Sequence, residues 1–384
     1  MPTPEDYNFD GAIVHPDRVR EISLFRLTGS QLQRLVDRMQ EQFPSLIHLA
    51  LSCEAYPDDA PALLDGFLGG SAPRLQSLRL DFIPLPALPK LLLSATDLVY
   101  LSLMRIPHSG YIPPEAIVTC LAAMANLESL IIGFHSPLSR PDRRPPPPIR
   151  TALPALTHFQ FQGVSEYLED FMARIDAPLL DSIRMIFFHQ LIFELPQLAQ
   201  FMRRTTSFQA LSEAHMDFNE FGVRVGYSPP TRIAERCRLK TRLKVSCREL
   251  DWQLSALAQV FTSFFPSICM VEHFYMYEPP YSLPPWRDDI EIENMQWREI
   301  FEPFTAVKNL YLPKVFTPHI VRALQELDGS RMPEVLPALQ KIFLEGYDPS
   351  GPILEGIGVF VAARQLSGHP MTVFPWEGLD QVDS

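Results

Sequence analysis

Apolar residues recur along this chain at one spacing, with polar residues held between them. "APRLQSLRLDF" (Ala72 to Phe82) shows the pattern, placing Leu75, Leu78 and Leu80 in the form L-x-x-L-x-L behind Pro73. With Ile, Val, Phe or Met allowed, the same template falls on Val19-Ile22-Leu24, Leu46-Leu49-Leu51, Leu98-Leu101-Leu103, Leu127-Leu130-Ile132, Leu156-Phe159-Phe161 and Leu180-Ile183-Met185. It returns at Val307-Leu310-Leu312 and Leu339-Ile342-Leu344. The last two apolar positions of each match lie on one face of a strand, while the residues flanking them point to the other. Between the matches, 30–42, 113–125, 165–176 and 317–328 carry helical spacing, as Leu32, Leu35, Val36 and Met39 do. Thr317 is placed to cap the last of these helices, and Pro318 suits its first position.

From the first match to the seventh, the starting positions advance by 27, 29, 23, 29, 29 and 24 residues. This is close to the leucine-rich-repeat period of roughly 20–29 residues. Pro44, Pro73, Pro154, Pro178 and Pro337 each stand two residues before the first apolar position, where proline ends a helix and opens an extended segment. Each unit is then strand, turn and helix, and it can bury its apolar face only by stacking on its neighbours. The fold class expected is α/β: a leucine-rich-repeat solenoid of horseshoe form, with parallel strands on the concave side, helices on the convex side, and an irregular C-terminal half. A doubly wound sheet is the competing arrangement. Its strands would be apolar on both faces, whereas "LQSLRL" and "LTHFQF" keep polar residues between the apolar ones.

Breaks in the pattern set the expected organisation: a tail at 1–14, repeats at 15–213, irregular repeats at 214–300, C-terminal repeats with a capping helix at 301–370, and a tail at 371–384. A proline-rich insertion occupies about 136–153. There P-x-x-P-x-R, running from Pro145 through Pro148 to Arg150, fits a minimal SH3-ligand pattern on a polyproline II segment. An exposed insertion loop is the plainer reading. Farther on, Met216, Phe218, Val223, Val225 and Tyr227, and then Leu243 and Val245, alternate with other residues. Two longer antiparallel strands replacing a helix, or one repeat with an enlarged loop, both satisfy that alternation. "FPSICMVEHFYMYE" resumes the template only loosely. The acidic run Asp288, Asp289, Glu291 and Glu293 lacks a glycine-bearing ligand loop and reads as a solvated loop leading into a helix.

Composition changes this picture little. The 384 residues are 46% hydrophobic and 20% charged, the balance of a folded chain with a large core. A formal net charge of −12 argues against general affinity for nucleic acid or an anionic membrane. There is no run of 18 apolar residues, and the acidic start has no apolar signal region, so neither a membrane span nor a signal peptide is expected. Cys53, Cys120, Cys237, Cys247 and Cys269 are odd in number and never in C-x-x-C spacing. They read as buried free thiols of a reducing compartment, cytoplasmic or nuclear.

Motifs of chemistry are missing. G-x-S-x-G, G-x-x-x-x-G-K-[ST], G-x-G-x-x-G and H-E-x-x-H do not occur, and the ten histidines are scattered. No catalytic residue, cofactor or metal is assigned. The residues flanking the second template position form the candidate partner-binding face: His48, Arg79, Tyr100, Ser102, Met104, His158, Gln160, Arg184, Tyr311 and Phe343, with Arg242 and Lys244 from the irregular section. Aromatic, Met and Arg side chains are the usual anchors of interfaces. The expectation is a non-enzymatic monomer that binds a protein on its concave face. The competing reading is a hydrolase or transferase with its site in 214–297.

Four stretches carry a resemblance: "HPDRVREISLF" (His15 to Phe25), "RELDWQLSALAQV" (Arg248 to Val260), "FTAVKNLYLPK" (Phe304 to Lys314) and "LPALQKIFLEGYDPSGPILEGIGVFVAARQLSGHP" (Leu336 to Pro370). With them the chain resembles the leucine-rich-repeat region of fungal, basidiomycete-type F-box-like proteins. The resemblance implies a substrate-recognition role in an F-box-type ubiquitin ligase. In that family an F-box motif opening with an L-P-x-E-type helix docks to a Skp-type adaptor. "MPTPEDYNFDGAIVHP" offers no counterpart before the first repeat, which leaves the adaptor contact in doubt.

Overall fold

The repeat begins with a turn. In the five units that carry the proline, the amide of the first template residue bonds the carbonyl three residues back: Leu46 to Phe43, Leu75 to Ala72, Leu156 to Leu153, Leu180 to Ala177 and Leu339 to Leu336. The recurrent proline is therefore the second residue of a tight turn, a place where its fixed φ is favourable and its missing N–H costs nothing. The next amides carry a second signature. Ile47 and His48 both donate to the Arg20 carbonyl, Gln76 and Ser77 to Ile47, Val99 and Tyr100 to Gln76, Glu128 and Ser129 to Val99, and Thr157 and His158 to Glu128. Lys308 and Asn309 repeat it on Glu272, and Gln340 and Lys341 on Lys308. Each of these strands is thus set on its predecessor by the same hydrogen bonds.

The computed structural model describes residues 15–54, 66–84, 88–137, 149–190, 192–219, 221–230, 239–247, 250–264, 270–277, 294–325, 335–346 and 352–377. They form two compact units, Met1–Arg184 and Met185–Ser384. In the first unit β1 (Glu21–Leu27), β2 (His48–Cys53), β3 (Ser77–Asp81), β4 (Tyr100–Ile106), β5 (Ser129–Phe134) and β7 (His158–Gly163) pair in that order, all parallel. Helices α1 (Gly29–Arg38), α2 (Leu88–Ser94), α3 (Pro114–Leu121) and α4 (Ser165–Met172) fall between strands. A two-residue parallel pair joins β6 (Thr151–Ala152) to β8 (Ile175–Asp176) on either side of β7 and α4. Strand β9 (Ser182–Phe188) crosses the unit boundary.

In the second unit the sheet order is β9, β12 (Thr241–Ser246), β11 (Gly222–Ser228), β10 (Glu213–Asn219), β13 (His273–Tyr277), β14 (Asn309–Leu312), β15 (Lys341–Glu345) and β16 (Thr372–Trp376). Of the two arrangements open for 214–247, the antiparallel one forms. β10 pairs with β11 and β11 with β12, both antiparallel. From β10 the sheet continues parallel through β13, β14, β15 and β16. Helices α5 (Pro196–Arg204), α6 (Leu250–Phe264), α7 (Asn294–Phe301), α8 (Thr317–Gln325) and α9 (Pro352–Leu366) complete the unit. The chain is a mixed α/β protein with a large, mostly parallel sheet.

The leucine ladder is the core. From Leu46-Leu49-Leu51 through Leu180-Ile183-Met185, and again at Val307-Leu310-Leu312 and Leu339-Ile342-Leu344, every template residue is buried. The first match is the exception, because only Ile22 is buried while Val19 and Leu24 are half-exposed at the outer strand. Helices cover the ladder face. Phe171 of α4 stacks on Phe159 of β7 at 5.4 Å, and Phe301 of α7 meets Phe274 of β13 at 5.7 Å. The opposite face of the sheet carries the alternate residues, among them the exposed His48, Arg79, His158 and Arg242.

Two details differ from expectation. Thr317 does not cap α8, for it lies within the helix, buried, and its hydroxyl donates to the Pro313 carbonyl at 2.9 Å. The sheet also continues into 372–376, where β16 pairs with β15 and carries Pro375, a residue that blunts the free edge of a sheet.

Candidate binding face

In the first unit the strand register aligns the expected residues in rows across the open face. His48, Ser77, Tyr100, Ser129 and His158 are successive partners in one row. Ala50, Arg79, Ser102, Ile131 and Gln160 form the next. Met104 follows in the third, beside Asp81. Of these, His48, Arg79 and His158 are exposed and Tyr100, Met104 and Gln160 half-buried. Ser102 corrects the expectation of an outward contact residue. It is only 2% exposed, because its short side chain sits between the longer Arg79 and Ile131. Arg184 is exposed on β9. Of the SH3-type pattern, Pro145 and Pro148 lie outside the described residues, and Arg150 is exposed.

The strand ends of this unit carry a cluster that the template did not mark. Arg105 makes a two-pronged pair with Asp81, whose Oδ1 accepts from Nε at 2.6 Å, and its guanidinium stands 4.1 Å over the Phe82 ring. The Asp81 hydrogen bond raises the Arg105 pKa, so the guanidinium stays charged. Arg26, Phe82 and Arg105 hold the same repeat position, two after the last template residue, and all have positive φ (57°, 58° and 50°). Non-glycine residues there need tertiary support. At two of the three positions the ladder slips by a bulge, between Leu24 and Leu27 and between Leu103 and Ile106.

The second unit's open face is aromatic. Five rings stand in one row on adjacent strands: His215 on Tyr275 at 4.9 Å, Tyr275 on Tyr311 at 4.1 Å, Tyr311 on Phe343 at 4.4 Å and Phe343 on Phe374 at 5.4 Å. Their planes are inclined by 5°, 15°, 9° and 24° in turn, so the rings form a continuous stack. In-register parallel pairing imposes this, since Tyr275, Tyr311, Phe343 and Phe374 are direct partners at neighbouring-strand spacing. Tyr277 and Trp376 lie one row beyond, with ring centroids 6.2 Å apart. Past His215 the row reaches Gly226, where a Cβ would lie 2.4 Å from the Leu239 side chain.

Polar groups organise one end. His215 shares a 2.9 Å hydrogen bond between Nδ1 and the Tyr277 hydroxyl, while its Nε2 lies 3.5 Å from Glu213 Oε2 and 3.4 Å from Ser228 Oγ. Burial pushes the Glu213 carboxyl up, but hydrogen bonds from His215 and Ser228 and the charges of His215 and His273 outweigh it, leaving the pKa below the usual value. Asp217, paired with Arg224 at 2.7 Å, is held above its usual value by burial despite the Arg224 and Lys244 charges. Arg224 and Arg242 are exposed on the same face, with Lys244 half-buried.

Glu213, His215 and Ser228 are the three residue types of a hydrolytic triad, but their order is different. Ser228 Oγ donates to Glu213 at 3.1 Å, and hydroxyl and carboxylate crowd the same His215 nitrogen. A triad needs them on opposite nitrogens, with the hydroxyl donating to the imidazole. Among the described residues no group of three or more His, Cys, Asp or Glu is disposed to hold a metal. The hollow lined by Tyr111, Phe134, Ser136, Val164 and Tyr167 has no room for a water molecule. The acidic residues Asp288, Asp289, Glu291 and Glu293 lie outside the described residues. No helix among the described residues is long and apolar enough to cross a membrane.

Tyr311 and Phe343 were legible from the template, whereas His215, Tyr275, Tyr277, Phe374 and Trp376 were not assigned. For Tyr275 a signal existed, because Val271-Phe274-Met276 fits the template and all three are buried. Phe374 and Trp376 sit on β16, whose ladder positions, Val373 and Pro375, break the pattern.

Comparison with known proteins adds little. No family model and no curated protein matches the chain. Among solved structures, the chain is similar to the leucine-rich repeat-containing protein LegL7 of Legionella pneumophila, with 13% identity, a TM-score of 0.30, and coverage of 94% of this chain and 95% of that one. The repeated turn, the shared-carbonyl bonds and the buried ladder are features that this chain shows by itself.

Proposed function

We propose that this chain is a non-enzymatic protein-interaction module of leucine-rich-repeat type, a horseshoe solenoid whose open strand faces hold a polypeptide partner. The observation that carries the reading is the row of five stacked rings on the face opposite the ladder, bordered by Arg224 and Arg242. Fully buried faces accumulate such rings without explanation, whereas half-exposed rings beside exposed arginines have the composition of an interface. The resemblance to fungal F-box-like proteins supplies the finer reading, a substrate receptor of a ubiquitin ligase acting as a monomer in the cytoplasm or nucleus.

The test is comparative affinity purification from a basidiomycete lysate, with wild type, an open-face variant (Arg79→Glu with Phe343→Asp) and a helix-side control (Gln33→Glu) as baits. One set of proteins should be held by wild type and control and lost from the open-face variant. Identical capture by all three baits overturns the reading. A Skp-type adaptor in the retained set would support the ligase role, and its absence would remove that role while leaving the interaction module standing.

A further inference from the structure

The two outer strands of the sheet differ at their free edges. In β16 the Thr372 amide donates to the Gln340 carbonyl at 2.9 Å. Strand alternation then turns the backbone of Thr372, Phe374 and Trp376 toward β15 and that of Val373 and Pro375 outward. Proline at 375 removes a donor from that edge, which hinders further pairing. β1 has no such block. Its Arg20 carbonyl accepts from His48, so the backbone of Ile22 and Leu24 faces β2, and the amides and carbonyls of Glu21, Ser23 and Phe25 point outward. No described strand pairs with them, because β1 ends the strand order. At seven residues β1 is as long as any described strand, and the slip between Leu24 and Leu27 confines regular pairing to 21–25.

The ladder face of β1 is incomplete at the same edge. Leu51, flanked by Leu24 and Leu80, is fully buried, whereas Leu24, flanked by Leu51 alone, is half-exposed. Ile22 keeps 9% exposure where its partner Leu49 keeps 1%. A further strand with apolar side chains at two alternate positions would give this end the cover that the inner ladder residues have. On the other face, Glu21 and Ser23 extend the rows of His48 and Ala50 by register, and Phe25, two residues on, is 59% exposed. A strand added here lies beside the face already assigned to the partner.

We infer that the free edge of β1 docks an extended segment of the partner polypeptide, apolar and polar side chains alternating along it, as an additional strand paired with 21–25. Main-chain hydrogen bonds hold such a segment, and its alternate side chains select it. Its apolar residues meet Ile22 and Leu24, and the others continue the open-face rows. A second copy of this chain fits poorly. The antiparallel register in which Glu21, Ser23 and Phe25 of two copies all exchange hydrogen bonds centres on Ser23. It sets the exposed Arg20 opposite the exposed Arg26 of the other copy, twice over, and like charges directly opposite are destabilising. The inference rests on the partner-binding reading and names how the partner is held.

The probes are three acetylated, amidated nine-residue peptides in which Thr alternates with Val, Leu or Phe. Each is dye-labelled and titrated with the full chain, and binding is followed by fluorescence anisotropy and by hydrogen exchange of 20–27. At least one should bind saturably and slow that exchange tenfold or more. Methylating the backbone amides of that peptide on alternate residues, in two complementary sets, separates donors that face β1 from donors that face away. One set should weaken binding at least tenfold and the other should leave it within twofold. Ser23→Pro, which removes an outward amide and spares the bonds to β2, should lose binding, while Ser23→Ala retains it. No saturable binding by any of the three peptides, the same effect from both methylated sets, or equal binding by wild type and Ser23→Pro overturns the proposal. A concentration-dependent dimer of wild type that Ser23→Pro abolishes would give the edge to a second copy and overturn it too. The partner-capture experiment stands or falls separately, because its variants change Arg79 and Phe343 and leave β1 intact.

Discussion

Leu101→Ala tests the register from which every facing assignment follows. Leu101 is fully buried on β4, between Leu78 of β3 and Leu130 of β5 at the same ladder level, and both neighbours are also fully buried. The truncation removes buried methyl groups from a site gripped on both sides, where strands locked by shared-carbonyl hydrogen bonds resist collapse into the void. Such losses cost about 2–5 kcal/mol. Leu24, one ladder position on β1, is half-exposed at the outermost strand, and its truncation should cost about 1 kcal/mol, since less apolar surface returns to water. Tyr100→Ala, one residue from Leu101 on the half-exposed open face, should cost about 1 kcal/mol or less. Urea unfolding followed by circular dichroism reads these differences, and the two compact units call for fitting each transition separately, with the loss expected in that of the first unit. Equal losses for Leu101→Ala and Tyr100→Ala would refute the assigned faces.

Two further outcomes depend on titration. The thiols of Cys53 and Cys120 are both pushed up to about 11 by burial, with Asp81 adding to the effect at Cys53. Their neutral forms therefore favour the folded state below the unfolded thiol value of about 8.5, and that contribution is lost as pH rises toward the folded value. The urea midpoint should fall across that alkaline window, less steeply in the Cys53→Ala, Cys120→Ala double variant, and both thiols should resist iodoacetamide at neutral pH until the chain is unfolded. Glu213 behaves oppositely: its lowered pKa contributes stability above the ordinary glutamate value of about 4.3 that is lost as pH falls through the folded value. Acid titration of wild type against Glu213→Gln should show the stability difference shrinking over that acid window, and a difference constant with pH would refute the Ser228 and His215 arrangement.

The ladder was legible because its cause is local. Leu75, Leu78 and Leu80 declare a buried strand face by spacing alone, and Pro73 declares the turn before it. The aromatic stack has a different cause. His215 and Tyr275 are brought side by side only because β10 pairs with β13 while β11 and β12 fold out to the other edge of β10. That choice depends on pairing between distant segments, and no window of sequence contains it. The burial of Ser102 has the same origin, since its exposure is decided by Arg79 and Ile131 on neighbouring strands.

By itself, then, the sequence determined the repeat, the turn prolines, the side of each strand that is buried and the residues left outside. These follow from periodicity, which is a property of a few consecutive side chains. Only the tertiary structure decided that the antiparallel hairpin joins the sheet beside β9, that five rings fall into one stack, and that Trp376 reaches back past the shorter β14 to Tyr277 and Tyr311. Those features arise from strand order and strand length taken together, and the hydrogen-bond ladder that fixes both is formed between residues dozens of positions apart.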